Sequence, residues 1–105
     1  MAVSVPHDVR DRTLEDLKTK RAHLKANVTR IVNRLKIWLE HPEDKELCSE
    51  LSKRLDERFD EFMTTQRAFH QLLTDEDDIR KALTYQNTVV AEVAMIRQQL
   101  ENVKK

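Results

Sequence analysis

A seven-residue repeat of apolar side chains, sustained through four consecutive heptads, constrains this chain more than any other feature. Leu14, Arg21, Val28 and Leu35 form one register, and Leu17, Leu24, Ile31 and Trp38 form the companion register three residues later. An α-helix turns once in about 3.6 residues, so this repeat gathers its members into one stripe, the seam along which helices pack. Seven of the eight seam positions are apolar, with Arg21 the exception, and Val32 and Leu39 widen the stripe beyond a two-stranded seam. A second repeat runs near the end of the chain. There Ile79, Gln86, Val93 and Leu100 alternate with Ala82, Val89, Ile96 and Val103, broadened by Leu83 and Val90, and Gln86 is the polar exception. Between the two repeats, Cys48, Leu51, Leu55, Phe59, Phe62, Phe69, Leu72 and Leu73 recur at a spacing nearer the helical period, with Thr65 and Gln66 interrupting the stripe.

The punctuation agrees with three helices. The chain contains no glycine, so it lacks the residue that most readily adopts left-handed backbone in tight turns and phosphate-cradling loops. Both prolines, Pro6 and Pro42, lie outside the periodic runs. Thr13 and Asp16 have capping-box spacing, which places a helix start near residues 11–13. Pro42-Glu43-Asp44 reads as a second start with proline in the first turn, and Thr74 reads as an N-cap ahead of the acids Asp75 to Asp78. Connections this short force neighbouring helices to run antiparallel. The expected architecture is therefore all-α: a coiled-coil-like antiparallel three-helix bundle over residues 11–105, with helices at about 11–40, 43–73 and 75–103, behind a flexible lead-in over residues 1–10.

Composition narrows the function classes. Formal net charge is zero, yet charge separates along the chain. Residues 10–41 carry nine lysines and arginines against four acids, while residues 42–74 carry five against eight. The simplest expectation is a basic first helix beside an acidic second one, with Lys18, Lys20, Lys25 and Arg34 meeting Glu50, Glu57 and Glu61. The sharper expectation is a basic contact face, Lys18, Lys20, Arg21, Lys25, Arg30 and Arg34, for nucleic acid or an anionic membrane surface. No aromatic residue interleaves with these bases, which removes the stacking of a single-strand binder.

One cysteine, Cys48, excludes an intramolecular disulfide, and His7, His23, His41 and His70 are scattered without metal-ligand spacing. The acids from Asp75 to Asp78 lack the glycine and distal glutamate of a calcium loop. Ser49, Ser52 and Cys48 lie on a helix without the turn that presents a nucleophile. These features predict no enzyme, no metal, no cofactor and no small-molecule substrate. The single cysteine, the lack of a hydrophobic signal core and the lack of a spanning run predict a cytoplasmic setting. Ile37, Leu47, Met63 and Met95 are apolar but lie off the seams, and they form a candidate interaction surface for a protein partner or a second copy.

With the helices placed, LKTKRAHLKANVTRIVNRLKIWLE and LSKRLDERFDEFMTTQRAFHQLL resemble the N-terminal helical region of Gag-type polyproteins of Bel/Pao long-terminal-repeat retrotransposons. The first-helix likeness rests on Lys20-Arg21, Lys25 and Thr29-Arg30, and the second on Arg54-Leu55, Phe59, Phe62 and Gln66, over roughly residues 14–73. The resemblance implies a structural module at the front of a capsid polyprotein, serving self-association in particle assembly or docking to host components, and it supplies no catalytic residues. The leading expectation is thus a non-catalytic helical protein–protein interaction or self-assembly module. The alternatives are the basic-surface module and a spectrin-like spacer in a cytoskeletal or trafficking protein.

Overall fold

A computed structural model describes the backbone of residues 7–104 and the side chains of residues 12–103. Three helices follow one another: α1 (His7–Glu40), α2 (Lys45–Gln71) and α3 (Glu76–Lys104). They pack as an antiparallel bundle, most closely between α1 and α2. The 34 residues of α1 extend about 51 Å at roughly 1.5 Å per residue. The molecule is accordingly a rod of 64 × 23 × 16 Å. Its radius of gyration of 17.4 Å exceeds the roughly 13 Å of a compact globule of this length.

Helix α1 begins at His7, earlier than expected, so residues 7–10 belong to the helix and not to the lead-in; residues 1–6 lie outside the described residues. No glycine or proline follows Pro6 until Pro42, so nothing stops the helix from extending back past Thr13, which sits inside α1 and cannot be its N-cap. The second start also moves. Asp44 is the N-cap of α2, in extended backbone, and its carboxylate accepts the Leu47 N–H at 3.0 Å, leaving Pro42 in the connection. The Trp38 indole N–H donates to the Asp44 carbonyl at 2.7 Å and ties the end of α1 to the start of α2. At the third start Asp75, not Thr74, takes the capping position. Its carboxylate accepts the Asp77 N–H at 2.8 Å and its carbonyl accepts the Ile79 N–H at 3.0 Å. A carboxylate one residue from the helix outbids a hydroxyl two residues away, because it accepts more strongly and favours the positive end of the helix dipole. Both connections close without positive φ among the described residues, as a glycine-free chain requires.

The apolar core follows the repeats closely. Leu24, Val28, Val32 and Leu35 of α1 meet Cys48, Leu51, Leu55 and Phe62 of α2 and Val89, Val93, Ile96 and Leu100 of α3. Ile31, Trp38, Leu39, Phe59, Met63 and Tyr85 pack around them. Phe62 is fully buried and stacks on Tyr85 with ring centroids 6.1 Å apart. The repeat in α3 overreaches at its end, where Val103 is exposed instead of on the seam, as is Leu83 of the broadening set. Thr65 and Gln66 do not interrupt the α2 stripe; both are buried. Among the described residues no helix is long and apolar enough to cross a membrane.

Candidate functional site

Past Phe62, toward the α2–α3 connection, the core changes character. Arg21 sits on the α1 seam, and its side chain lies inside the bundle with only 9% of the residue exposed. Its guanidinium carbon lies 4.3 Å from the ring centroid of Phe69 and 4.0 Å from that of Tyr85, so aromatic faces from α2 and α3 both contact the cation. Nη1 donates to the Gln66 Oε1 at 3.1 Å, and Gln66 Nε2 donates to the Ala82 carbonyl at 2.7 Å. One chain of polar contacts thereby joins all three helices, with Gln66 wholly buried at its centre. Among the described residues Arg21 Nε, itself buried, has no hydrogen-bond partner, and no ion pair involves Arg21. Desolvation pulls the Arg21 pKa below its ordinary value, with Tyr85 acting in the opposite sense, but a guanidinium remains protonated.

A groove of about 380 Å³ opens over this layer, lined by Leu14, Glu15, Lys18 and Arg21 of α1, Phe69 and Leu73 near the end of α2, and Asp78, Lys81, Ala82 and Tyr85 of α3. Arg21 therefore leaves the expected exposed basic face. Position decides this, because a seam residue points inward whatever its charge. Gln66 and Tyr85 were not singled out as site residues by sequence reasoning. The available signal was a pair of mismatches: an arginine on one apolar seam and a glutamine inside another apolar stripe, which can satisfy each other only in the interior.

Of the other basic candidates, Lys18, Lys20, Arg30 and Arg34 are exposed, while Lys25 is half-buried with its ammonium 4.9 Å from the Tyr85 ring centroid. Arg30 bonds within its own helix, to the Asn27 Oδ1 at 2.7 Å and the Ala26 carbonyl at 3.5 Å. The expected pairing of α1 bases with α2 acids does not form. Glu50 is taken by Arg54 at 2.9 Å and Glu61 by Arg58 at 2.8 Å, both within α2. Neighbours three or four residues apart on one helix are already within reach, so these pairs win over partners across a groove. Across helices the ion pair found among the described residues is Arg97 with Asp56 at 2.7 Å. Arg30 and Arg34 instead line an α1–α2 groove of about 370 Å³ together with Asn27, Ile31, Arg54, Glu57 and Arg58.

The off-seam apolar candidates separate. Met63 packs against the core, whereas Ile37 is 65% exposed, Met95 57% and Leu47 43%. Ile37, Leu47 and Val103 all fall in terminal turns at the same end of the rod, where α1 ends, α2 begins and α3 ends. Two grooves lie there on either side of Val103. One, of about 440 Å³, runs between Lys36, Leu39 and Glu40 of α1 and Gln99, Asn102 and Val103 of α3. The other, of about 540 Å³, is lined by Trp38, Pro42, Lys45, Cys48, Ser49, Ser52, Leu100 and Val103. Among the described residues no group of three or more His, Cys, Asp or Glu is placed to hold a metal ion. Compared with known proteins, the chain matches no family model, no curated protein and no solved structure.

Proposed function

We propose that the protein is a non-catalytic helical interaction module that self-associates through the end of the rod bearing Ile37, Leu47 and Val103. The observation that carries this reading is the gathering at one end of three of the five large hydrophobic residues exposed among the described residues, Ile37, Leu47, Leu83, Met95 and Val103. Apolar surface grouped in this way is favourably covered by another apolar protein surface. A second copy suits it because a formal net charge of zero opposes association with no overall repulsion. The resemblance to Gag-type N-terminal regions points to the same behaviour. Light scattering over a concentration series tests the reading. Mass should rise with concentration, and Ile37→Glu combined with Val103→Glu should return the protein to a monomer of unchanged helicity. A wild-type monomer at the highest attainable concentration sinks the idea.

One observation favours a second reading, a basic contact face for nucleic acid or anionic membrane. Among the described residues Lys18, Lys20, Lys25 and Arg34 take part in no ion pair, so their ammonium and guanidinium groups are not held by an acid of α2. Binding through them should weaken steeply with salt. Charge reversal at Lys18, Lys20 and Lys25, which spares the buried Arg21, should abolish it without unfolding.

A further inference from the structure

Among the described residues no carboxylate pairs with the buried Arg21 cation, an arrangement that costs folding energy and that an anionic ligand would offset. Gln66 holds Nη1, Nε is buried without a hydrogen-bond partner among the described residues, and Arg21 lines the groove, so an anion entering there would supply the counter-charge that the bundle does not. Carboxylates are the anions that a guanidinium pairs with most specifically, through charge-assisted hydrogen bonds. We propose that this groove is a binding site for a singly charged carboxylate carrying an apolar tail, with Arg21 as its anchor.

Charge selects the anion. Arg21, Lys18 and Lys81 face Glu15 and Asp78 around the groove, a surplus of one positive charge. A carboxylate neutralises that surplus, whereas a dianionic phosphate would leave a negative excess beside two acids. The walls select the tail. Leu14, Leu73, Phe69 and Tyr85 offer apolar and aromatic surface, and about 380 Å³ accommodates a short aliphatic chain or one or two side chains of a peptide. The aromatic contacts hold the guanidinium in place in advance, so little freedom is lost when a carboxylate pairs with it. The site lies at the opposite end of the rod from the apolar surface of the preceding proposal and does not depend on it.

The carboxylate could belong to a small amphiphile or to the C-terminus of a peptide, and the probes separate these sources. The full chain is titrated with hexanoate, N-acetyl-leucyl-leucine, hexanamide and inorganic phosphate while the Arg21 Nε–Hε resonance is followed by NMR. Hexanoate or the dipeptide should move that resonance saturably and slow its exchange with water, the tighter of the two identifying the source, and hexanamide should not. Arg21→Met should remain folded and lose binding, and Lys81→Glu, which reverses the surplus at the exposed rim, should weaken it about tenfold or more. Equal binding of hexanamide, a response to phosphate alone, no response to any probe, or retained affinity in Arg21→Met overturns the proposal. If Arg21→Met does not fold, unchanged hexanoate affinity in Lys81→Glu overturns it equally.

Discussion

Arg21 and Gln66 occupy interior positions where leucine would pack without a polar group to satisfy, and each is tolerable only because of the other. Replacing Gln66 by leucine strips the guanidinium of the hydrogen-bond acceptor it has among the described residues and should destabilise the fold by about 1–3 kcal/mol. The double variant Arg21→Met/Gln66→Leu removes both partners and should be more stable than Gln66→Leu alone, as measured by urea unfolding with an unchanged slope. A double variant less stable than that single one would show that the cation–π contacts outweigh the desolvation of the charge. Burial lowers the Arg21 pKa, so folding disfavours its charged form. That penalty would lift only as pH rises beyond the arginine range, and Arg21 therefore adds no pH dependence to stability between about pH 4 and 9. Phe62, fully buried in the main core, is an ordinary packing residue by comparison, and Phe62→Ala should cost about 3–5 kcal/mol on the same measurement. The sequence marked Phe62 clearly, because phenylalanine on an apolar stripe has one sensible location. It marked Arg21 only as an anomaly, because charge and seam position pull in opposite directions.

At the level of the helices, each end is set by a competition among nearby capping groups. Asp75→Ala should lower stability by about 1 kcal/mol while Thr74→Ala leaves it nearly unchanged, since the Asp75 carboxylate accepts the Asp77 N–H. Equal losses from the two substitutions would restore the threonine as the cap. The α1–α2 connection has a second fastening, the Trp38 indole to the Asp44 carbonyl, so Trp38→Phe should cost about 1 kcal/mol beyond its packing loss and loosen the turn in hydrogen exchange. The three helices and their apolar stripes were legible because periodicity repeats over many residues and averages out local ambiguity. The boundaries were less so, because Thr13, Pro42 and Thr74 are all acceptable start signals and the choice rests on backbone geometry a few ångströms away.

Across the whole molecule, charge contributes less to cohesion than its abundance suggests. Charged residues make up 36% of the chain, yet the ion pair found between helices among the described residues is Arg97–Asp56, on exposed side chains. Raising salt from about 0.1 to 1 M should therefore shift the unfolding free energy by less than about 1 kcal/mol, whereas any binding through the α1 bases should fall by orders of magnitude. A large loss of stability in salt would mean that the surface charges support the bundle after all. The apolar repeats by themselves determined that the chain forms three amphipathic helices packed in an antiparallel bundle, because a stripe buried at helical spacing has few other ways to leave water. Only the tertiary structure decided which polar residues share the interior and which charges find partners. Arg21, Gln66, Tyr85 and Ala82 are separated by up to 64 positions along the chain and meet only when three helices settle into one register. The α2 acids, in turn, could have paired along their own helix or across to α1, and distances within the folded bundle settled that choice.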